Sequence, residues 1–204
     1  MIIDPRDTTP KDCYKLMVGT VVPRPIAFVS TLSSGGHANL APFSYFTAIT
    51  SDPPTICFAP GRKPKTGDRK DTLSNIEATG EFVVNVVTAE MGAAMHETAA
   101  EFPPDVDEFE IAGFTPVASR IVKPSRVGES PVNMECKIYD IIHIGGDKPT
   151  GGALVIGEVV LFHVSDDIYR DGRVDIQKLN PLGRLAGDDY TLLGRIISHK
   201  RKSV

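Results

Sequence analysis

The chain has no tryptophan and only three cysteines, Cys13, Cys57 and Cys136. Without indoles, no ligand platform can rest on Trp stacking. An odd number of thiols with no C-x-x-C spacing excludes a disulfide scaffold and a thiolate zinc site, and it fits a reducing, cytoplasmic setting. No apolar run approaches the roughly 20 residues of a spanning helix, so no membrane association is expected. The opening MIIDPRDTTPKD lacks the basic and apolar regions of a secretory signal. Positive charge is in deficit: 22 Lys and Arg against 26 Asp and Glu give a formal net charge of −4, which argues against nucleic acid as a partner. Nucleotide-binding and hydrolase signatures are missing as well. There is no G-x-G-x-x-G after a strand, no G-x-x-x-x-G-K-[ST] and no G-x-S-x-G. The histidines at 37, 96, 143, 163 and 199 show no H-E-x-x-H spacing, so no metal is expected.

What is present is punctuation. Sixteen prolines and eighteen glycines in 204 residues break the chain into many short elements, a β-rich tendency. Residues 10–18 follow Thr9, a candidate N-cap, and stop at Gly19, predicting a short helix. The runs 24–32 and 38–50 read as two strands of a hairpin around Ser34-Gly35-Gly36. Asp52-Pro53-Pro54 then breaks the chain before a strand at 55–59. A polar loop, 61–70, runs into a helix over 71–80 capped by Asp71 or Thr72 and closed by Gly80. Residues 81–87 are a strand, Thr88 caps a helix to about Ala100, and the acidic EFPPDVDEFE is a loop. Two long β-type runs, 132–144 and 153–164, flank the turn GGDKPTGG. The last forty residues are short pieces ending in the basic tail 198–204. Hairpins without βαβ alternation predict a mostly β, α+β fold, an antiparallel barrel or sandwich with peripheral helices in a single domain spanning 1–204.

Two local patterns carry chemistry. Arg62, Lys63, Lys65, Arg69 and Lys70 crowd nine positions just before a helix N-terminus. Unpaired N–H groups there, with Lys or Arg and a Thr hydroxyl, suit a phosphate monoester. Lys70 and Thr72 are the natural ligands, with Arg62 and Arg69 as neighbours; a solvated charged loop is the plainer reading of the same residues. The second pattern is ANLAPFSYF, 38–46. Pro42 cannot donate to a ladder, so it marks an edge, a bulge or a strand leaving its sheet. Backbone exposed in that way can meet a planar heterocycle, while Phe43, Tyr45 and Phe46 equally suit a core.

The segments VPRPIAFVST, NLAPFSYFTAITSDPPTICF and KDTLSNIEATGEFVVNVV, in this order, resemble the flavin reductase-like family of FMN-binding split β-barrels. VGESPVNMECKI and GRLAGDDYTLLG extend the resemblance from Gly19 to Gly194. It implies a homodimer of split barrels with FMN near the subunit interface. Asn39, Ala41, Pro42, Phe43 and Ser44 would line the ring and ribityl chain, with Ser30 and Thr31 beside them. Lys70, Asp71 and Thr72 would lie near the phosphate, and Arg184 and Tyr190 would sit in a loop closing over the flavin. Ala186 stands where relatives often have a second Gly. His163 would meet a nicotinamide or substrate, or else be a rim histidine. Glu135 and Cys136 suit an interface strand better than catalysis. The resemblance implies an NAD(P)H-dependent flavin reductase with the chemistry on the cofactor and no side-chain nucleophile. An electron carrier like the flavoredoxins, without NAD(P)H activity, and a dimeric interaction module without flavin are the alternatives. A redox partner protein is a further expected partner.

Overall fold

The computed structural model describes residues 1–63 and 66–200. Lys65 of the basic loop and the end of the basic tail, 201–204, lie outside the described residues. Thr9 caps the first helix, α1 (Pro10–Thr20), accepting from the Asp12 N–H. The helix continues through Gly19 and is closed by Val21, whose N–H bonds to the Met17 carbonyl. Two antiparallel pairs follow: β1 (Ala27–Leu32) with β2 (Ala38–Phe43), and β3 (Phe46–Ser51) with β4 (Pro54–Phe58). The expected continuous strand over 38–50 is therefore two strands. Its break at Ser44 and Tyr45 comes two residues after Pro42.

Helix α2 (Asp71–Thr79) leads into β5 (Glu81–Val86) through Gly80, which takes the left-handed conformation at φ 73° and suits only glycine well. Its N-cap is Lys70, with no side-chain cap, rather than Asp71 or Thr72. The helix expected from Thr88 to Ala100 shrinks to α3 (Gly92–Glu97). Thr88 instead bridges to Pro181, and the Thr98 hydroxyl bonds back to the Met95 carbonyl where the helix ends. The acidic stretch read as a loop contains α4 (Glu108–Ala112), capped by Asp107 and closed by Gly113 at φ 69°. After a ribbon of β6 (Pro116–Val117) with β7 (Arg126–Val127) come the long strands β8 (Val132–Ile144) and β9 (Gly152–Val164).

The seven longer strands form one antiparallel sheet in the order β2-β1-β5-β8-β9-β4-β3. Its two edges, β2 and β3, are consecutive in the chain and joined only by Ser44 and Tyr45. The sheet must therefore curl until both edges start from one corner. The expected barrel is not closed, because no ladder joins β2 to β3 among the described residues. Inside the curl lie Val29, Phe43, Phe58, Phe82 and Val155, with Phe58 5.2 Å from Phe43 and 5.6 Å from Phe82. On the other face of β1, Phe28 packs with Leu40, Met95, Phe109 and Phe114 under α3 and α4. β1 is thus apolar on both faces, which explains its unbroken hydrophobic run.

Gly157 of β9 opposes the fully buried Phe82, and a Cβ there would overlap that ring. Gly157→Ala is expected to cost about 1–3 kcal/mol of unfolding free energy, the usual range for overpacking. Urea unfolding measures it, and an unchanged midpoint would show that Phe82 has room to move.

Candidate functional site

β2 pairs with β1 on one side only, so its other edge is open. Pro42 sits on this edge, as a residue without an N–H must. Three concavities meet along it. The first, about 170 Å³, is bordered by Asn39, Ala41 and Pro42 of β2, by Lys63, Lys70, Asp71 and Thr72, by Thr98 to Phe102, and by Glu108. The second, about 430 Å³, shares Pro42 and runs past Phe43, Ser44 and Tyr45 to Pro60, Gly152 and Leu185. A third, about 160 Å³, joins them through Pro42, Ser44, Ala99, Arg184 and Tyr190. The result is one trough, polar at the α2 end, where Lys63 and Lys70 stand beside Asp71, Glu101 and Glu108, and more apolar at the other.

At the polar end the first turn of α2 points its uncapped N-terminus at the cavity. Such a terminus carries partial positive charge. Lys63 Nζ pairs with the Asp71 carboxylate at 3.0 Å, whereas Lys70 makes no ion pair among the described residues. Behind this rim lies a buried polar network. Asn39 Oδ1 accepts from Thr72 Oγ1 at 2.7 Å and from Thr31 Oγ1 at 3.3 Å, and Asn75 Nδ2 donates to Thr31 at 3.0 Å. Asn39 Nδ2 donates to Glu108 Oε1 at 2.8 Å, and the Leu40 N–H donates to Oε2 at 3.0 Å. Burial pushes the Glu108 carboxyl above its ordinary range, against the hydrogen bonds that favour its charged form.

At the apolar end a buried guanidinium organises the corner where β2 becomes β3. Arg24 donates to the carbonyls of Val18, Val21 and Leu185, each at 2.8 Å, and to Ser44 Oγ at 3.3 Å. It ties α1, the β2–β3 turn and the C-terminal segment together. Arg184 is held to Arg24 by paired backbone hydrogen bonds, and its guanidinium lies 4.5 Å from the centre of the Tyr190 ring. Tyr190 Oη is 3.0 Å from His96 Nδ1.

The residues expected in the site divide clearly. Asn39, Ala41, Pro42, Phe43, Ser44, Lys70, Asp71, Thr72, Arg184 and Tyr190 all border the trough, although the Phe43 ring turns into the core. Thr31 lies one layer below, bonded to Asn39. Ser30 is buried away from it, its hydroxyl donating to the Ser125 carbonyl. Arg62 turns to the β8–β9 hairpin, bonding Gly146 O at 2.9 Å and Asp147 at 3.1 Å, and Arg69 pairs with Glu77 at 2.7 Å. His163 borders a separate concavity with Arg120, Arg126 and Asn133. There its Nε2 meets Glu135 Oε1 at 2.6 Å. Sequence reasoning missed Glu108, Arg24 and His96. Arg24 stands between two prolines in the quoted VPRPIAF and was the one with a visible signal; Glu108 was hidden as one of five acidic residues in one loop-like stretch. Among the described residues, no three metal-ligating side chains cluster, and no helix is long and apolar enough to cross a membrane.

A curled antiparallel sheet whose open edge borders a polar pocket beside a broader trough has the concave form of a small-molecule-binding β protein. Residues 18–179 match the family model described as flavin reductase like domain, and the chain belongs to that family, whose members are flavin-related oxidoreductases. Nitrilotriacetate monooxygenase component B from Bacillus cereus is 40% identical, with a TM-score of 0.93 over 98% of each chain. The 2-nitrobenzoate 2-nitroreductase NbaA of Pseudomonas fluorescens is 31% identical, with a TM-score of 0.87 over 99% of this chain and 96% of that one. A flavoredoxin of Desulfovibrio vulgaris, 22% identical with a TM-score of 0.75 over 98% and 97%, shares the fold.

Proposed function

We propose that this protein is an FMN-dependent oxidoreductase, an NAD(P)H-dependent flavin reductase that works as a homodimer of split barrels. One observation carries the reading: the polar cavity at the start of α2, with Lys63 and Lys70 on its rim, shares Pro42 with a trough of about 430 Å³ beyond it. That donor set fits FMN. Lys70, Lys63 and the α2 N-terminus suit a phosphate, and the open edge of β2 suits a ring with its own donors and acceptors. Bound FMN would supply the hydride-accepting centre.

The chain's own residues then have defined tasks. Lys70 and the α2 N-terminus hold the phosphate, and Asn39 and Thr72 shape its floor. Arg24, fixed by three carbonyls, keeps a permanent positive charge beside Ser44, which favours negative charge developing in the trough. Tyr190 and Arg184 wall the trough from the C-terminal side. Exposed Tyr139, Ile142 and Ile144 on β8 give an apolar surface that supports the dimer. The 40% identical neighbour is, by name, one component of a monooxygenase, which supports a partner protein that takes up the electrons.

The test is an absorption spectrum of the protein with added FMN, followed by anaerobic NADH and NADPH. Flavin bands that bleach rapidly with either nucleotide are expected, and they name the donor. Bleaching with dithionite alone would replace the reductase by an electron carrier. No binding of FMN would put the non-flavin module first.

A further inference from the structure

Asn39 borders the α2 cavity beside the buried acid Glu108, and both ends of its amide are committed. Its Nδ2 faces Glu108 at 2.8 Å, and its Oδ1 receives the hydroxyls of Thr72 and Thr31. An ionised carboxylate only accepts hydrogen bonds. Charged Glu108 therefore dictates this orientation of the amide, and the Leu40 N–H on its second oxygen fixes the carboxylate itself. The constraint propagates outward. Thr72 spends its one proton on Asn39 and shows the cavity only lone pairs, as a phosphate dianion also does.

We propose that Glu108 is a positioning residue which, on taking up a proton, reverses this hydrogen-bond chain and turns Thr72 into a donor toward the phosphate of the ligand. The inference rests on reading the cavity as a flavin phosphate site. In the reversed chain the Glu108 O–H donates to Asn39 Oδ1. The amide, turned over, donates from Nδ2 to the Thr72 and Thr31 oxygens. The Asn75 amide, whose Nδ2 now donates to Thr31, turns over as well, so that its Oδ1 accepts the proton Thr31 had given to Asn39. The Thr72 proton then points into the cavity. One proton enters with the ligand, and only hydrogen bonds change.

The surroundings favour such an uptake. Glu108 is buried, and burial already pushes its pKa up. Asp107, which caps its helix, adds to that push. Lys63, Lys70, Asp71 and Glu101 border the same cavity, and Lys63 and Asp71 are paired with each other. Helix α3, packed against α4, brings His96 and Glu97, of which His96 is engaged with Tyr190. An arriving dianion adds like charge beside Glu108 and stabilises its protonated form. Affinity for a phosphate-bearing flavin must then fall as pH rises.

The experiment compares FMN with riboflavin, which lacks the phosphate, by quenching of flavin fluorescence between about pH 6.5 and 9, where a phosphate monoester with its second pKa near 6 is mostly dianionic. In the wild-type chain, FMN affinity is expected to drop with pH, by up to about tenfold per unit, while riboflavin affinity stays flat. In Glu108→Gln the side-chain amide donates permanently to Asn39. FMN affinity becomes independent of pH and, at the alkaline end, about tenfold tighter than wild type. Thr72→Val removes the donor that the reversed chain presents and makes the profile shallower than wild type, the remaining slope being the direct repulsion between the phosphate and Glu108, so the test stands even where Glu108→Gln does not fold. Added to Glu108→Gln, it weakens FMN by about tenfold, the scale of one charged hydrogen bond, which removal of a repulsive charge alone would not produce. A wild-type slope retained in either single variant, or no slope in wild type, overturns the proposal while leaving the flavin site intact. Failure of both flavins to bind wild type at every pH overturns the site reading instead.

Discussion

Lys70→Ala is expected to raise the dissociation constant for FMN by about 10- to 100-fold and to leave riboflavin within about threefold. Lys70 stands at the N-cap of α2, borders the polar cavity and makes no ion pair among the described residues. Its charge is available for a ligand. A hydrogen bond to a charged group contributes about 1.5–3 kcal/mol, and each 1.4 kcal/mol is a factor of about ten in affinity. Lys63 should matter less, because the Asp71 carboxylate already holds it at 3.0 Å and it must be shared. Arg62→Ala is the control: its guanidinium is spent on Gly67, Gly146 and Asp147, so FMN affinity should change by no more than about twofold. Fluorescence titration with both flavins measures all three variants. Equal losses for FMN and riboflavin in Lys70→Ala would mean that the cavity does not hold the phosphate.

The contrast between Lys70 and Arg62 shows what sequence can and cannot locate. Both belong to one basic run, and composition treats them alike. Which of them faces the cavity depends on the β8–β9 hairpin, whose Gly146 carbonyl captures Arg62 from 84 residues away. The same rule separates Ser30 from Thr31. They are neighbours on one strand, so their side chains point to opposite faces: Thr31 joins Asn39, and Ser30 meets Ser125 on the other side. Local signals read well where the cause was local. Thr9 caps α1, Gly80 ends α2, and Pro42 lies on an open edge. They misled where tertiary contacts decided. The run 38–50 looks like one strand because nothing in its composition records that its halves serve opposite edges of the sheet. Glu108 looks like a solvated acid because its partners, Asn39 and Leu40, are almost seventy residues away.

Glu135 should prove the most costly polar residue to alter for stability. It is fully buried near the start of β8, where an unpaired charge would be strongly destabilising. Burial by itself would raise its pKa. The N–H groups of Arg120, Ile121 and Val122, at 2.8, 2.6 and 3.1 Å, and His163 at 2.6 Å outweigh that and hold the carboxyl at about 2, against an ordinary 4.5. The loop between β6 and β7 is thus pinned to the sheet by one carboxylate. Glu135→Ala leaves those donors without their acceptor and is expected to cost about 3–5 kcal/mol at neutral pH, the scale for removing one member of a buried charged network. The pH dependence separates charge from packing. A carboxyl with a depressed native pKa stabilises the fold fully above its unfolded value, and that contribution disappears as pH falls from about 4.5 toward 2. At about 1.4 kcal/mol per unit, the charge accounts for on the order of 3 kcal/mol. Urea unfolding of wild type and Glu135→Gln at neutral pH and near pH 3 should show the gap between them narrowing in acid. His163→Ala removes one donor of four and should cost only about 1 kcal/mol at neutral pH. A Glu135→Gln gap unchanged by acid would show that the carboxylate acts through its shape and not through its charge.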